Sequence, residues 1–90
     1  MVNDDIDARF KEAFEKASNM ESKLPPDVML RLYAYYKQAL KGDQFSIHTD
    51  TKGLRNAFKF NAWIQLKGMD PNEAKEEYIK LVNSIIEQND

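Results

Sequence analysis

Two tyrosines and four cations stand at spacings that would gather them on helix faces. Tyr33 and Lys37 are four residues apart, and Tyr36 is three from Tyr33. On a helix turning about 100° per residue, the three span an arc of about 100°. Lys52, Arg55 and Lys59, spaced three and four apart, make a basic ridge roughly 60° wide. A phenol offers a flat face to a purine and a hydroxyl to a phosphate, and an ammonium offers that phosphate a charge. If the two helices converge, phenols and cations frame one cleft suited to a phosphorylated nucleotide. A plainer reading competes: tyrosines on helices commonly pack at the core or its rim, and lysines are commonly solvated.

Catalysis finds less support. The chain has no cysteine and a single histidine, His48, so neither a thiolate nucleophile nor the commonest zinc sites can be assembled. Ser18, Ser22, Ser46 and Ser84 have no base beside them in sequence, and Glu76 and Glu77 are neighbours whose side chains diverge on a helix. His48 reads as a structural or solvated residue. The expectation is a non-enzyme with neither cofactor nor metal.

The elements that must position the tyrosines and cations are helices. From Asp5 to about residue 20, Ile6, Phe10, Ala13, Phe14, Ala17 and Met20 recur at steps of three and four, one apolar stripe. Pro25 and Pro26 interrupt the pattern and Asp27 adds a charge favourable at a helix start. A second helix over 26–41 carries Met29, Leu32, Tyr36 and Ala39 on one face, with Gly42 placed to end it. Residues 43–51 have no period and read as a loop. A third helix is expected over about 52–67, with Gly68 just past its end. Asp70-Pro71-Asn72-Glu73 resembles a capping box with a first-turn proline, opening a fourth helix over 71–87 with Ala74, Tyr78, Leu81, Val82 and Ile85 at helical steps. No segment reads as a strand. The fold class is an all-α bundle of one domain over 1–90.

Composition narrows the partners. The net charge is −2, yet from Lys37 to Lys67 six basic residues face two acidic ones, while the rest of the chain holds seven basic and thirteen acidic residues. A basic centre in an acidic chain suits a local anion site better than general attraction to nucleic acid. No apolar run approaches the roughly 20 residues of a membrane helix, and the acidic start is unlike a signal peptide. A soluble cytoplasmic monomer is the expectation, and the missing cysteines suit a reducing compartment.

At the tyrosines the sequence resembles the acyl-coenzyme A binding protein family. Tyr33-Ala34-Tyr35-Tyr36-Lys37-Gln38-Ala39-Leu40-Lys41-Gly42-Asp43 resembles its Y-x-x-Y-K-Q-A-T-x-G-D signature. Lys59-Phe60-Asn61-Ala62-Trp63-Ile64-Gln65-Leu66-Lys67-Gly68 is similar to its K-W-x-A-W-x-x-L-K-G block, and Ala74 to Ile79 to its A-x-x-x-Y-I. The spacing among the blocks also fits, and the likeness runs over about residues 6 to 87. It implies an up-down-down-up four-helix bundle that carries medium- or long-chain acyl-coenzyme A without chemistry, as a high-affinity intracellular carrier and pool former. It further implies Tyr36 against the adenine, Tyr33, Lys37 and Lys59 on the ribose 3'-phosphate, and Tyr78 at the nucleotide or acyl region. Lys52 and Arg55 become secondary phosphate contacts.

The sequence departs from that pattern in places. Phe60 replaces the first tryptophan, which keeps an aromatic and loses an indole donor. Leu40 stands for the usual threonine, read as a packing change. Residues 44–51 lack the proline and glycine often found there. Lys52-Gly53 lies three residues out of register, so that Arg55 takes the place of a family lysine. Two readings of other classes compete: a helical protein-interaction module docking a partner helix, and a phosphate-directed nucleic-acid binder.

Overall fold

The computed structural model describes residues 5–20, 24–43 and 54–88, excepting the side chains of 54–56. It holds four helices: α1 (Asp5–Asn19), α2 (Pro26–Lys41), α3 (Leu54–Ile64) and α4 (Pro71–Gln88). There is no strand among the described residues. The all-α expectation stands.

Each start and stop has a local cause. Pro26 opens α2 where its missing N–H would have had no intrahelical partner, and Asp27 sits in the first turn against the helix dipole. Gly42 closes α2 at φ +60°, a conformation that a side chain resists, and its N–H donates to the Gln38 carbonyl at 2.9 Å. At the head of α4 the Asp70 carboxylate accepts from the Asn72 N–H at 2.9 Å, satisfying a donor the helix cannot.

The third helix is shorter than its pattern. It ends at Ile64 instead of continuing to Lys67, and its expected start at Lys52 lies outside the described residues. Beyond Ile64 the backbone tightens to bonds spanning three residues, from Leu66 to Trp63, Lys67 to Ile64 and Met69 to Leu66. Gly68, at φ +93°, then turns the chain toward α4. The tighter winding delivers the Gly68 N–H to the Asp43 carboxylate, at 3.0 and 3.2 Å from its two oxygens.

The apolar stripes meet as the periodicity requires. Phe10, Ala13 and Ala17 of α1, Leu32 and Ala39 of α2, and Ala74, Tyr78, Val82 and Ile85 of α4 form the buried core, joined by Ile79. Each large side chain so buried contributes roughly 1.5–3 kcal/mol. Leu40 is otherwise: it is 54% exposed, so its replacement of threonine is a surface change and not a packing one.

Contacts between helices give the topology. Lys75 and Glu76 near the start of α4 pair with Asp7 and Arg9 near the start of α1, at 2.6 and 3.4 Å, so these two helices run parallel. The end of α2 meets the start of α4, since Gln38 donates to the Met69 carbonyl at 2.8 Å. It also meets the end of α3, where the Trp63 indole donates to Gln38 Oε1 at 3.0 Å. So α2 is antiparallel to α4 and parallel to α3: up, down, down, up. The two parallel neighbours, α2 and α3, require the long connection that the sequence places between them.

Candidate ligand-binding site

A groove of about 880 Å³ opens along α2, with α1 and α3 contributing its sides and Tyr78 of α4 lining it as well. That volume lies within the usual range for small-molecule sites. Its wall is apolar where Phe14, Leu24, Met29, Leu30 and Phe58 line it, and carries phenols and ammoniums at Tyr33, Tyr36, Lys37 and Lys59.

The helical spacing of Tyr33, Tyr36 and Lys37 puts all three on the groove side of α2, and the parallel packing of α3 brings Lys59 beside them. The Lys59 ammonium stands 5.3 Å from the centre of the Tyr33 ring. Lys37 Nζ lies 5.9 Å from the same ring and 5.3 Å from the Trp63 ring. Two positive charges thus share one phenol ring, attracted by its quadrupole. Among the described residues neither ammonium has a carboxylate within ion-pair distance; the carboxylates that pair do so with Arg9, Lys16, Lys75 and Lys80. The Tyr33 hydroxyl is pushed up from its ordinary pKa by burial, so it remains a neutral donor near pH 7. An anion that accepts hydrogen bonds complements this end of the groove.

Five of the seven expected contacts, Tyr33, Tyr36, Lys37, Lys59 and Tyr78, line the one groove. Tyr78 is buried, with Phe10 edge-on at 5.1 Å and Tyr36 tilted at 6.3 Å. Lys52 lies outside the described residues; Arg55 falls in the first turn of α3, and its side chain is likewise outside them.

What holds the cations in place is a buried polar hub that residue spacing did not announce. Gln38 is fully buried. Its amide donates to Asp43 Oδ1 at 2.9 Å and to the Met69 carbonyl at 2.8 Å, while its oxygen accepts from the Trp63 indole. That indole also reaches the Gly42 carbonyl at 3.2 Å. The Gln38 hydrogen bond, then the Gly68 N–H and the charge of Lys67, hold the Asp43 carboxyl below the usual carboxylate range. The hub ties α2, the end of α3 and the start of α4 at one point. Lys37 is next to it in sequence and Lys59 is one helical turn from Trp63, so the hub sets their separation. One signal was available: Gln38 follows Ala34 by four residues and precedes Ala39, which places a carboxamide on a face that packing buries.

Fold and site together define a class, a small helical bundle whose side groove joins a cationic, phenol-lined end to an apolar trough. Known proteins match it. The family model "Acyl CoA binding protein" matches residues 7–82. The acyl-CoA-binding protein of Saccharomyces cerevisiae is 35% identical over 77 residues, covering 86% of this chain and 88% of its own. The acyl-CoA-binding protein homolog of Drosophila melanogaster is 31% identical over 81 residues, covering 90% and 94%. In three dimensions, Oryza sativa Acyl-CoA-Binding Protein 2 aligns with a TM-score of 0.84 at 28% identity, over 93% of each chain. The chain belongs to the acyl-CoA-binding protein family.

Proposed function

We propose that the groove binds a fatty acyl-coenzyme A thioester and that the protein acts as a monomeric cytoplasmic carrier of it, making and breaking no bond. One observation carries the reading: two ammoniums without carboxylate partners among the described residues converge on a phenol, in a groove of about 880 Å³ whose remaining wall is apolar. The 3'-phosphate sits between Lys37, Lys59 and the Tyr33 hydroxyl, the adenine lies against Tyr36, and Tyr78 lines the groove beneath. Lys52 and Arg55 add longer-range attraction. The acyl chain runs along Leu24, Met29 and Leu30. Each buried methylene gains roughly 0.8 kcal/mol, so about two carbons change affinity tenfold until the trough is full. Medium and long chains are therefore the cargo, held tightly enough to keep a pool of thioester away from water and membranes.

Calorimetry with palmitoyl-coenzyme A, coenzyme A and palmitate, each below its micelle concentration, tests this. The thioester should bind one to one and much more tightly than either half. Tyr36→Ala and Lys37→Ala should each weaken it at unchanged helicity. Equal affinity for all three ligands, or no effect of either substitution, refutes the assignment.

A further inference from the structure

The aromatic ring that would receive the base already has stacking partners within the protein. The Tyr36 ring has Phe14 near-parallel to it at 5.0 Å and 21°, and Phe10 near-parallel at 6.0 Å and 22°. A flat base can stack on a Tyr36 face that one of these rings covers only if that ring yields. Phe10 cannot, because it is buried in the core among Ala13, Leu32 and Tyr78. Phe14 can: it lines the groove and is 40% exposed, so its ring has an accessible side toward which it can rotate. Its backbone stays put, one turn from the end of α1, with its carbonyl accepting the Ser18 hydroxyl at 3.0 Å.

We propose that Phe14 is a specificity-determining residue, the movable leaf of an aromatic clamp that turns about its side-chain bonds and closes the ligand's purine between itself and Tyr36. The inference rests on the proposed acyl-coenzyme A site and adds a contact to it. The two rings need to part from 5.0 Å to roughly 7 Å, twice the optimum carbon contact of about 3.5 Å. One staggered-to-staggered rotation of an exposed phenylalanine supplies that. What is lost is a single ring pair and what forms is two base–ring pairs, so closure favours the bound state. The clamp selects for a planar base at the phosphate end: Tyr36 adjoins Lys37 in sequence, so a base held there keeps its ribose phosphate within reach of the two ammoniums.

The alternative position for Phe14 is against the acyl chain, since the trough residues Leu24 and Met29 line the same groove. The two positions give different ligand series. Calorimetry would compare the unaltered protein, Phe14→Ala and Phe14→Leu with coenzyme A, butyryl-coenzyme A and palmitoyl-coenzyme A, with helicity checked by circular dichroism. A clamp leaf predicts a loss of about tenfold in Phe14→Ala, equal for all three ligands. Phe14→Leu, which keeps apolar area and loses the flat face, should be nearly as weak. In the unaltered protein the adenine proton resonances should move upfield on binding, and in Phe14→Ala they should move less. A loss that grows with chain length, with coenzyme A unaffected, overturns the clamp and puts Phe14 on the chain. Unchanged or tighter binding in Phe14→Ala also overturns it, the latter showing a ring that only blocks Tyr36. If the unaltered protein binds none of the three, the function proposed above falls and the clamp falls with it; binding that Phe14→Ala leaves untouched removes the clamp alone.

Discussion

Replacing Gln38 by leucine should destabilise the protein by about 2–4 kcal/mol, a large effect for a substitution that keeps the side chain close to its original size. The figure follows from what each partner keeps. The Trp63 N–H retains the Gly42 carbonyl at 3.2 Å, and the Asp43 carboxylate retains the Gly68 N–H at 3.0 Å. The Met69 carbonyl, however, loses the amide donor that stood 2.8 Å away. An acceptor desolvated without a partner costs about 1–3 kcal/mol, and the weakened neighbours add roughly 1 kcal/mol more. Against a total stability of about 5–15 kcal/mol for a typical domain, that should lower the urea midpoint by about 1 M or more. Urea titration followed by circular dichroism and by the fluorescence of Trp63, the only tryptophan, measures it. The fluorescence carries a second piece of information, because the indole sits in the hub: if α3 comes loose first, its transition precedes the loss of helicity. A loss below about 1 kcal/mol with coincident transitions would refute the reasoning, for it would show that the carboxamide's hydrogen bonds are replaced by water at no cost.

Two further outcomes follow from the same geometry. Lys59→Ala should weaken coenzyme A about tenfold or more and 3'-dephospho-coenzyme A hardly at all, as titration calorimetry of the pair of ligands would reveal; equal losses for both would remove Lys59 from the 3'-phosphate. Asp43, whose carboxyl is held below its ordinary pKa by Gln38, by the Gly68 N–H and by Lys67, contributes stability that is fully present above the ordinary aspartate value of about 4 and is lost as the pH falls through the lower folded-state value. Asp43→Asn, which keeps an acceptor and removes the titration, should flatten the acid limb of a stability–pH curve measured by thermal unfolding below about pH 4; an unchanged limb would refute that assignment.

Much of the molecule could be read along the chain, for a reason that is local. Helical stripes such as Phe10, Ala13 and Ala17, or Ala74, Tyr78, Val82 and Ile85, repeat with the period of the backbone itself, so the pattern is legible wherever it occurs. The same period placed Tyr33, Tyr36 and Lys37 on one side of α2 before any neighbour was known. Proline and glycine marked the joints because their effects on φ need no tertiary partner. The tertiary structure decided what depends on residues far apart in sequence. Whether Lys59 meets Tyr33 depends on α3 running parallel to α2 at the right height, which no single helix encodes. The early end of α3 arises because Gly68 must reach Asp43, 25 residues away, an attraction that outweighs the propensity of 65–67 to continue the helix. Burial of Gln38 and the stacking of Phe14 on Tyr36 belong to the same kind: each side chain has a sequence neighbourhood that allows several environments, and only the packing of one helix on another selects the one it occupies.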